Sequence, residues 1–153
     1  MNDQILSIVV AADHGGVGLK NLLKQSLLSQ GYNVLDVGCD SAASCDYPDF
    51  AHAACAKVAS GEARYGILVC GSGIGMSIAA NRHPEIRCAL LHDVTGARLT
   101  RAHNDANVIA LGARTTGEET ALDIVKTFLS TPYEGGRHDR RIAKITPAEG
   151  ATS

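Results

Sequence analysis

The apolar run Tyr65-Gly-Ile-Leu-Val-Cys70 ends in a thiol, and three glycines fall within the next five residues, Gly71-Ser72-Gly73-Ile74-Gly75. A thiol at such a place can serve as a nucleophile or a base. Glycines let the backbone come close to a ligand, and free N–H groups at the start of a helix favour an anion. The loop is not a Walker A loop, because no Gly-Lys-Ser/Thr follows. It is also a poor dinucleotide fingerprint, since Met76 stands where a third glycine belongs, although Asp93 lies at the right distance for a ribose carboxylate. Spacing alone fits a ligand loop and a bare strand–helix turn equally well. For Cys70 itself, a helix N-terminus would favour the thiolate, while the commoner role of a cysteine at the end of an apolar strand is buried packing.

Other reactive groups are scattered along the chain. Asp13-His14-Gly15-Gly16 offers a carboxylate beside an imidazole, a pair that can hold a sugar hydroxyl or a phosphate. Arg101-Ala-His103-Asn104-Asp105 offers a second imidazole, able to move a proton near neutral pH, beside an amide suited to a developing oxyanion. Arg114, Arg137, Arg140 and Arg141 come late, and guanidinium forks suit phosphate. Each histidine also fits a hydrogen-bonded or solvent-facing role, the reading given to His52, His83 and His92. The late arginines fit a solvated basic tail.

Strands and helices must position these groups. Continuous apolar runs alternate with helically spaced ones: Ile5–Asp13 reads as a strand, and Leu19, Leu22, Leu23 and Leu27 share one helix face. "YNVLDVG" is a second strand. The following helix has Pro48 in its first turn and Phe50, Ala54, Cys55 and Val58 on one face. "YGILVC", "IRCALLHD" and "NVIALGA" complete five strands. Short helices lie between them, and a last helix carries Leu122, Val125 and Leu129. Strands apolar on both faces, each followed by a helix, predict a three-layer Rossmann-like α/β domain with a five-stranded parallel sheet. Ligands bind such sheets beyond the carboxyl ends of the strands. That rule selects Asp13-His14, Cys70–Gly75, and Asp93 or the turn at Gly112–Arg114. Residues 1–145 read as one domain and 146–153 as a tail.

Composition narrows the class. The chain has 153 residues, 45% hydrophobic and 20% charged, with a formal net charge of −2. This balance gives no general attraction for nucleic acid or anionic membrane. The first residues lack a basic leader and no apolar run nears a membrane span, so the expected location is cytoplasmic. Five cysteines without a CxxC pair read as reduced thiols, mostly small buried apolar residues, with no zinc site.

Taken together, "ADHGG", "DYPDFA", "GILVCGSGIGMSIAANR", "RLTRAHNDANVIALGAR" and "YEGGRHDRR" resemble type B ribose-5-phosphate isomerase, of the wider family that includes galactose-6-phosphate isomerase subunits. The resemblance runs from the first strand through Arg141. It implies interconversion of an aldose phosphate and a ketose phosphate through a cis-enediolate, without metal or organic cofactor. It also implies the roles. Cys70 is the base on the C2 proton, and Ser72 stands near C1. Gly71, Gly73 and Gly75 supply N–H groups toward the enediolate, with Asn104 alongside. His103 and Asp13 open the sugar ring, and Tyr47 lines the sugar site. His14, Arg114, Arg137 and Arg141 hold the phosphate. The resemblance further implies a homodimer with shared active sites, the late arginines coming from the partner subunit, either alone or paired into a tetramer. The chemistry is consistent with this. A proton α to a carbonyl is far less acidic than a thiol, so the site must stabilise the enediolate electrostatically while a group titrating near working pH moves the proton. A six-carbon sugar phosphate such as allose or galactose 6-phosphate is an alternative substrate. A phosphosugar- or nucleotide-binding module without catalysis is an alternative class.

Overall fold

The computed structural model describes residues 4–150. Five parallel strands, β1 (Ser7–Ala12), β2 (Asn33–Asp36), β3 (Tyr65–Cys70), β4 (Cys88–Leu90) and β5 (Val108–Gly112), form one sheet in the order β2-β1-β3-β5-β4. The helices are α1 (Val17–Ser29), α2 (Tyr47–Ala59), α3 (Ile74–Ala80), α4 (Val94–Asn104), α5 (Glu118–Ser130) and α6 (Arg137–Ile142). The expected three-layer architecture is present. Alternate residues of the central strands feed two cores. Ile8, Val10, Ile67, Val69, Ile109 and Leu111 pack against α1, α4 and α5. Val9, Ala11, Leu68, Cys70, Val108 and Ala110 pack against α2 and α3. With both faces covered, all six residues of β3 are buried, which explains its unbroken apolar run.

Two edge strands are shorter than the sequence predicts. The run Tyr32–Gly38 yields only the four residues of β2, and β4 keeps three. Each has a sheet neighbour on one side only, so fewer of its residues are drawn into the ladder. The supposed basic tail contains an extra element, α6, entered through two glycines of positive φ, Gly135 and Gly136.

The strand order sets the functional geography. From β1 the chain crosses to α1 on one face, and from β3 it crosses to α3 on the other. The β1 and β3 exits therefore diverge and leave a crevice at their carboxyl ends. Asp13 and Cys70 stand at its two lips.

Candidate functional site

At the first lip the backbone makes an unusually close approach. Asp13 N donates to Val69 O at 3.2 Å, and a Cβ on Gly16 would lie 2.5 Å from that same oxygen. Only glycine lets the β1–α1 turn sit this near β3. Asp13 is buried, and its Oδ1 accepts from Gly15 N at 2.9 Å. His14 is exposed, and its Nδ1 accepts from Cys45 N at 3.2 Å. In the neutral ring that bond leaves Nε2 as the donor, the form that can face a phosphate oxygen.

At the second lip, Cys70 pairs in register with Gly112 and is 4% exposed. Gly73 N donates to its Sγ at 3.0 Å, which ties the sulfur to the turn that opens α3. Gly73 has φ 76°, and a Cβ there would lie 2.8 Å from Leu90 and 2.9 Å from the Leu111 backbone. Ser72 Oγ accepts from Ile74 N at 3.2 Å. Gly71, Ser72 and Gly75 form the part-exposed rim. Tyr47 lies over Gly75 so closely that a Cβ would fall 2.5 Å from its ring. Arg114 runs beside Gly71, its amide donating to Gly71 O at 2.9 Å. Asp13, His14, Tyr47, Cys70–Gly75 and Arg114 thus converge on one edge of the sheet.

The remaining predicted residues lie elsewhere. α4 runs antiparallel to the strands, so His103 and Asn104 at its end sit near the start of β5, whereas Gly112 at the far end of β5 pairs with Cys70. The two groups are separated by at least the length of β5, about 13 Å. Arg137 and Arg141 go with His103. Glu134 N donates to Ala102 O at 3.0 Å and fastens the approach to α6 onto α4. His103 and His138 stack with centroids 4.5 Å apart and 16° between planes, and both present Nε2 to Glu134, at 3.9 and 3.4 Å. His138 is buried, and its Nε2 makes no hydrogen bond. His103, Asn104, His138 and Arg141 share a small pocket. The late arginines are therefore not one cluster: Arg114 belongs to the Cys70 edge, and Arg137 and Arg141 to the α4–α6 corner.

Within the "RAHND" stretch the outer residues are structural. Arg101 is buried over the Tyr65 ring, and its Nη1 donates to Asp105 Oδ1 at 2.8 Å and Ala106 O at 2.6 Å. Asp105, at φ 46°, turns the chain from α4 into β5. Sequence reading missed Glu134 and His138, although their i,i+4 spacing was available once α6 and its approach were seen as one corner. Together with His103 they offer three ligand atoms within 4.8 Å of one another, a donor set that could take a cation, with Arg141 on the same pocket opposing one.

The thiols also separate by environment. Burial pushes Cys55 up to about 11 and Cys88 higher still, so both stay protonated packing groups, as expected of small apolar cysteines. Cys39 is buried too, with its Sγ 3.3 Å from Ser41 O, whereas Cys45 departs from that description: it is half-exposed, with its Sγ 3.9 Å from His14 Nδ1. Tyr133 is raised to about 12, first by loss of solvent and then by donating to Asp139 Oδ1 at 2.6 Å. Among the described residues, no helix is long and apolar enough to cross a membrane.

Residues 8–145 match the model of the Ribose/Galactose Isomerase family. The chain is 43% identical to ribose-5-phosphate isomerase B of Escherichia coli over 142 residues, 93% of this chain and 95% of that one. The structure of ribose-5-phosphate isomerase B from Clostridium thermocellum superposes with a TM-score of 0.91 at 46% identity, covering 92% of this chain and 95% of the other. That of the Mycoplasma genitalium enzyme, determined with bound ribulose-5-phosphate, gives 0.87 at 39% identity, covering 92% and 93%.

Proposed function

Because the chain belongs to the Ribose/Galactose Isomerase family, we propose that it interconverts ribose 5-phosphate and ribulose 5-phosphate by cofactor-free proton transfer, in the cytoplasm. One observation carries the reading: the Cys70 thiol stands at the mouth of a glycine turn, in the crevice between diverging β1 and β3, with Asp13, Tyr47 and Arg114 around it.

In this mechanism Asp13 and His103 open the furanose. Cys70 takes the C2 proton, and the charge passes to the oxygens of a cis-enediolate. The N–H groups of Gly71, Gly73 and Gly75, with the Asn104 amide, stabilise that charge. The proton then returns at C1, beside Ser72. His14 and Arg114, with Arg137 and Arg141, grip the phosphate and supply positioning energy away from the reacting carbons.

A single copy keeps His103, Asn104, Arg137 and Arg141 away from Cys70. A second copy related by a two-fold axis would bring its α4–α6 corner to this Cys70 edge, and the reverse, completing two equal sites. Exposed Ile74 and Ile78 on α3, with Val94 and Tyr47, give such a dimer apolar surface to bury. Ribulose-5-phosphate in the M. genitalium structure supports the five-carbon substrate over allose or galactose 6-phosphate. The test is to incubate the pure protein, with no metal added, with ribose 5-phosphate and to follow ribulose 5-phosphate. Turnover is expected, and kcat/KM should be higher than for the six-carbon phosphates. Absence of turnover would sink the reading.

A further inference from the structure

Two side chains of the α4–α6 corner, Glu134 and His138, take no part in the proposed isomerisation. His138 is 5% exposed, and its Nε2 is buried without a hydrogen bond. A buried imidazole nitrogen left in this way costs stability unless another group engages it. Glu134 Oε2 lies 3.4 Å away without completing a hydrogen bond. The backbone holds this arrangement in place. Glu134 N donates to Ala102 O at 3.0 Å, and Tyr133 Oη donates to Asp139 Oδ1 at 2.6 Å. Between these ties Gly135 and Gly136, both at positive φ, turn the chain so that His138 comes back to Glu134. His103, one residue from the end of α4, stacks on His138 and is 37% exposed.

We propose that His103, Glu134 and His138 form a binding site for zinc, and that zinc held there reversibly stops turnover by occupying His103. The inhibition rests on the isomerase reading above; the metal site itself does not. Two imidazoles and one carboxylate are a donor set that zinc takes with a fourth position left open. Tetrahedral zinc, with bonds of about 2.0–2.1 Å, holds its ligand atoms about 3.3 Å apart. Glu134 Oε2 and His138 Nε2 already stand 3.4 Å apart, and His103 Nε2 is 3.9 Å from the same oxygen. All three atoms lie within 4.8 Å of one another. A tilt of the part-exposed His103 ring out of its stack closes the set.

The fourth position opens on the small pocket shared with Asn104 and Arg141, where a water or an anion can fill it. Arg141 is exposed on that pocket, and its charge opposes the ion. That opposition makes the site one for reversible binding rather than for a resident cofactor. Magnesium does not suit it, because that ion prefers oxygen ligands in an octahedron. A zinc-bound Nε2 can neither take nor give a proton, so ring opening loses His103 while the ion is bound.

The experiment titrates the metal-free, reduced, full-length protein with zinc by calorimetry, and repeats this with Glu134→Gln and Cys70→Ala. One ion per chain is expected, bound at least about tenfold more weakly by Glu134→Gln and equally well by Cys70→Ala. Glu134 is exposed, so its substitution leaves the packing intact. Cobalt(II) in place of zinc reports the ligands, and its visible bands should come without a thiolate charge-transfer band. With saturating zinc, turnover of ribose 5-phosphate should fall at least about tenfold, return with EDTA and be unaffected by magnesium. Relative to its own zinc-free rate, Glu134→Gln should need about tenfold more zinc for the same loss. Absence of stoichiometric binding, a thiolate band, or equal affinity in Glu134→Gln would overturn the site. Bound zinc that leaves turnover unchanged would overturn the inhibition. Absence of turnover in the metal-free protein would instead remove the isomerase reading, and calorimetry would still decide the metal site.

Discussion

The Cys70 edge and the α4–α6 corner hold the two halves of one proposed site, and they are built in different ways. At the Cys70 edge the backbone sets the geometry. Gly16 is pressed to Val69 O, Gly73 is forced to positive φ between Leu90 and Leu111, and the sulfur is buried under a Gly73 N–H. At the corner, side chains set it. Two stacked imidazoles share one carboxylate, and Arg137 and Arg141 stand in solvent on a six-residue helix. A rigid backbone cradle suits reacting carbons, which tolerate little displacement. Long exposed cations suit a phosphate, which accepts charge from several directions. On the proposed reading the cradle carries the reacting carbons, and the corner adds long cations for the phosphate alongside His14 and Arg114, with His103 and Asn104 carrying the corner's share of proton and charge handling.

The largest effect should come from the base. Cys70→Ala is expected to lower kcat by about 10²- to 10⁴-fold, the range for removing a general acid–base group, with KM little changed. A variant near wild-type kcat would move the base elsewhere. The next test addresses the division itself. Cys70→Ala and His103→Ala should each be inactive alone, yet regain activity when unfolded and refolded together. Random pairing makes half the dimers mixed, and each mixed dimer has one intact site of two, so recovery should reach about a quarter of wild type. If both halves belonged to one chain, mixing would restore nothing.

The fold and the Cys70 edge were legible in the sequence, and the corner much less so. The edge is local: Cys70 through Gly75 is one strand-to-helix turn, and the switch-point rule adds Asp13 from the neighbouring strand. His103, Arg137 and Arg141 were legible as candidate chemistry, and the family resemblance supplied expected roles for them. Their distance from Cys70 was not, because it follows from α4 running back along the sheet. α6 escaped notice because six residues, four of them charged, carry too little apolar periodicity to stand out from a basic tail. Cys45 read as one more packing thiol because what sets it apart, its backbone N–H on His14 Nδ1, exists only once the β2–α2 segment folds over β1.

Smaller effects should separate the two regions by stability and by affinity. Gly73→Ala puts a Cβ at φ 76° against the Leu111 backbone. A left-handed alanine alone costs about 1–2 kcal/mol, and in a domain of this size that lowers Tm by roughly 2–8 °C before any steric cost is added. Calorimetry reads this directly, and an unchanged Tm would mean that the cradle yields easily. Arg141→Ala touches no packed atom at the Cys70 edge. It should leave Tm within about a degree and raise KM roughly tenfold, the equivalent of about 1.4 kcal/mol of phosphate binding. A loss falling on kcat instead would place Arg141 in the chemistry rather than in capture.

The smallest effect is a pH dependence confined to one region. Burial raises the Asp36 carboxyl, but Lys20, the Gly38 N–H and Lys24 outweigh it and hold the group below its ordinary value. A carboxyl depressed in the folded chain adds stability that is fully present above its unfolded pKa, near 4, and is lost as the pH falls through the folded value. Lys20 also holds Cys39 O, so protonating Asp36 loosens the clamp on β1 beside Asp13. Amide exchange should therefore speed up at Ala12 and Cys39 between pH 5 and pH 3 after correction for intrinsic rates. The Glu134 amide, fastened to Ala102 at the corner, should change less. Asp36→Asn should remove the difference by making the Ala12 and Cys39 amides fast at both pH values. Equal acceleration at both places in the wild type would mean that acid acts on the whole domain and that the Cys70 edge has no acid-sensitive clamp of its own.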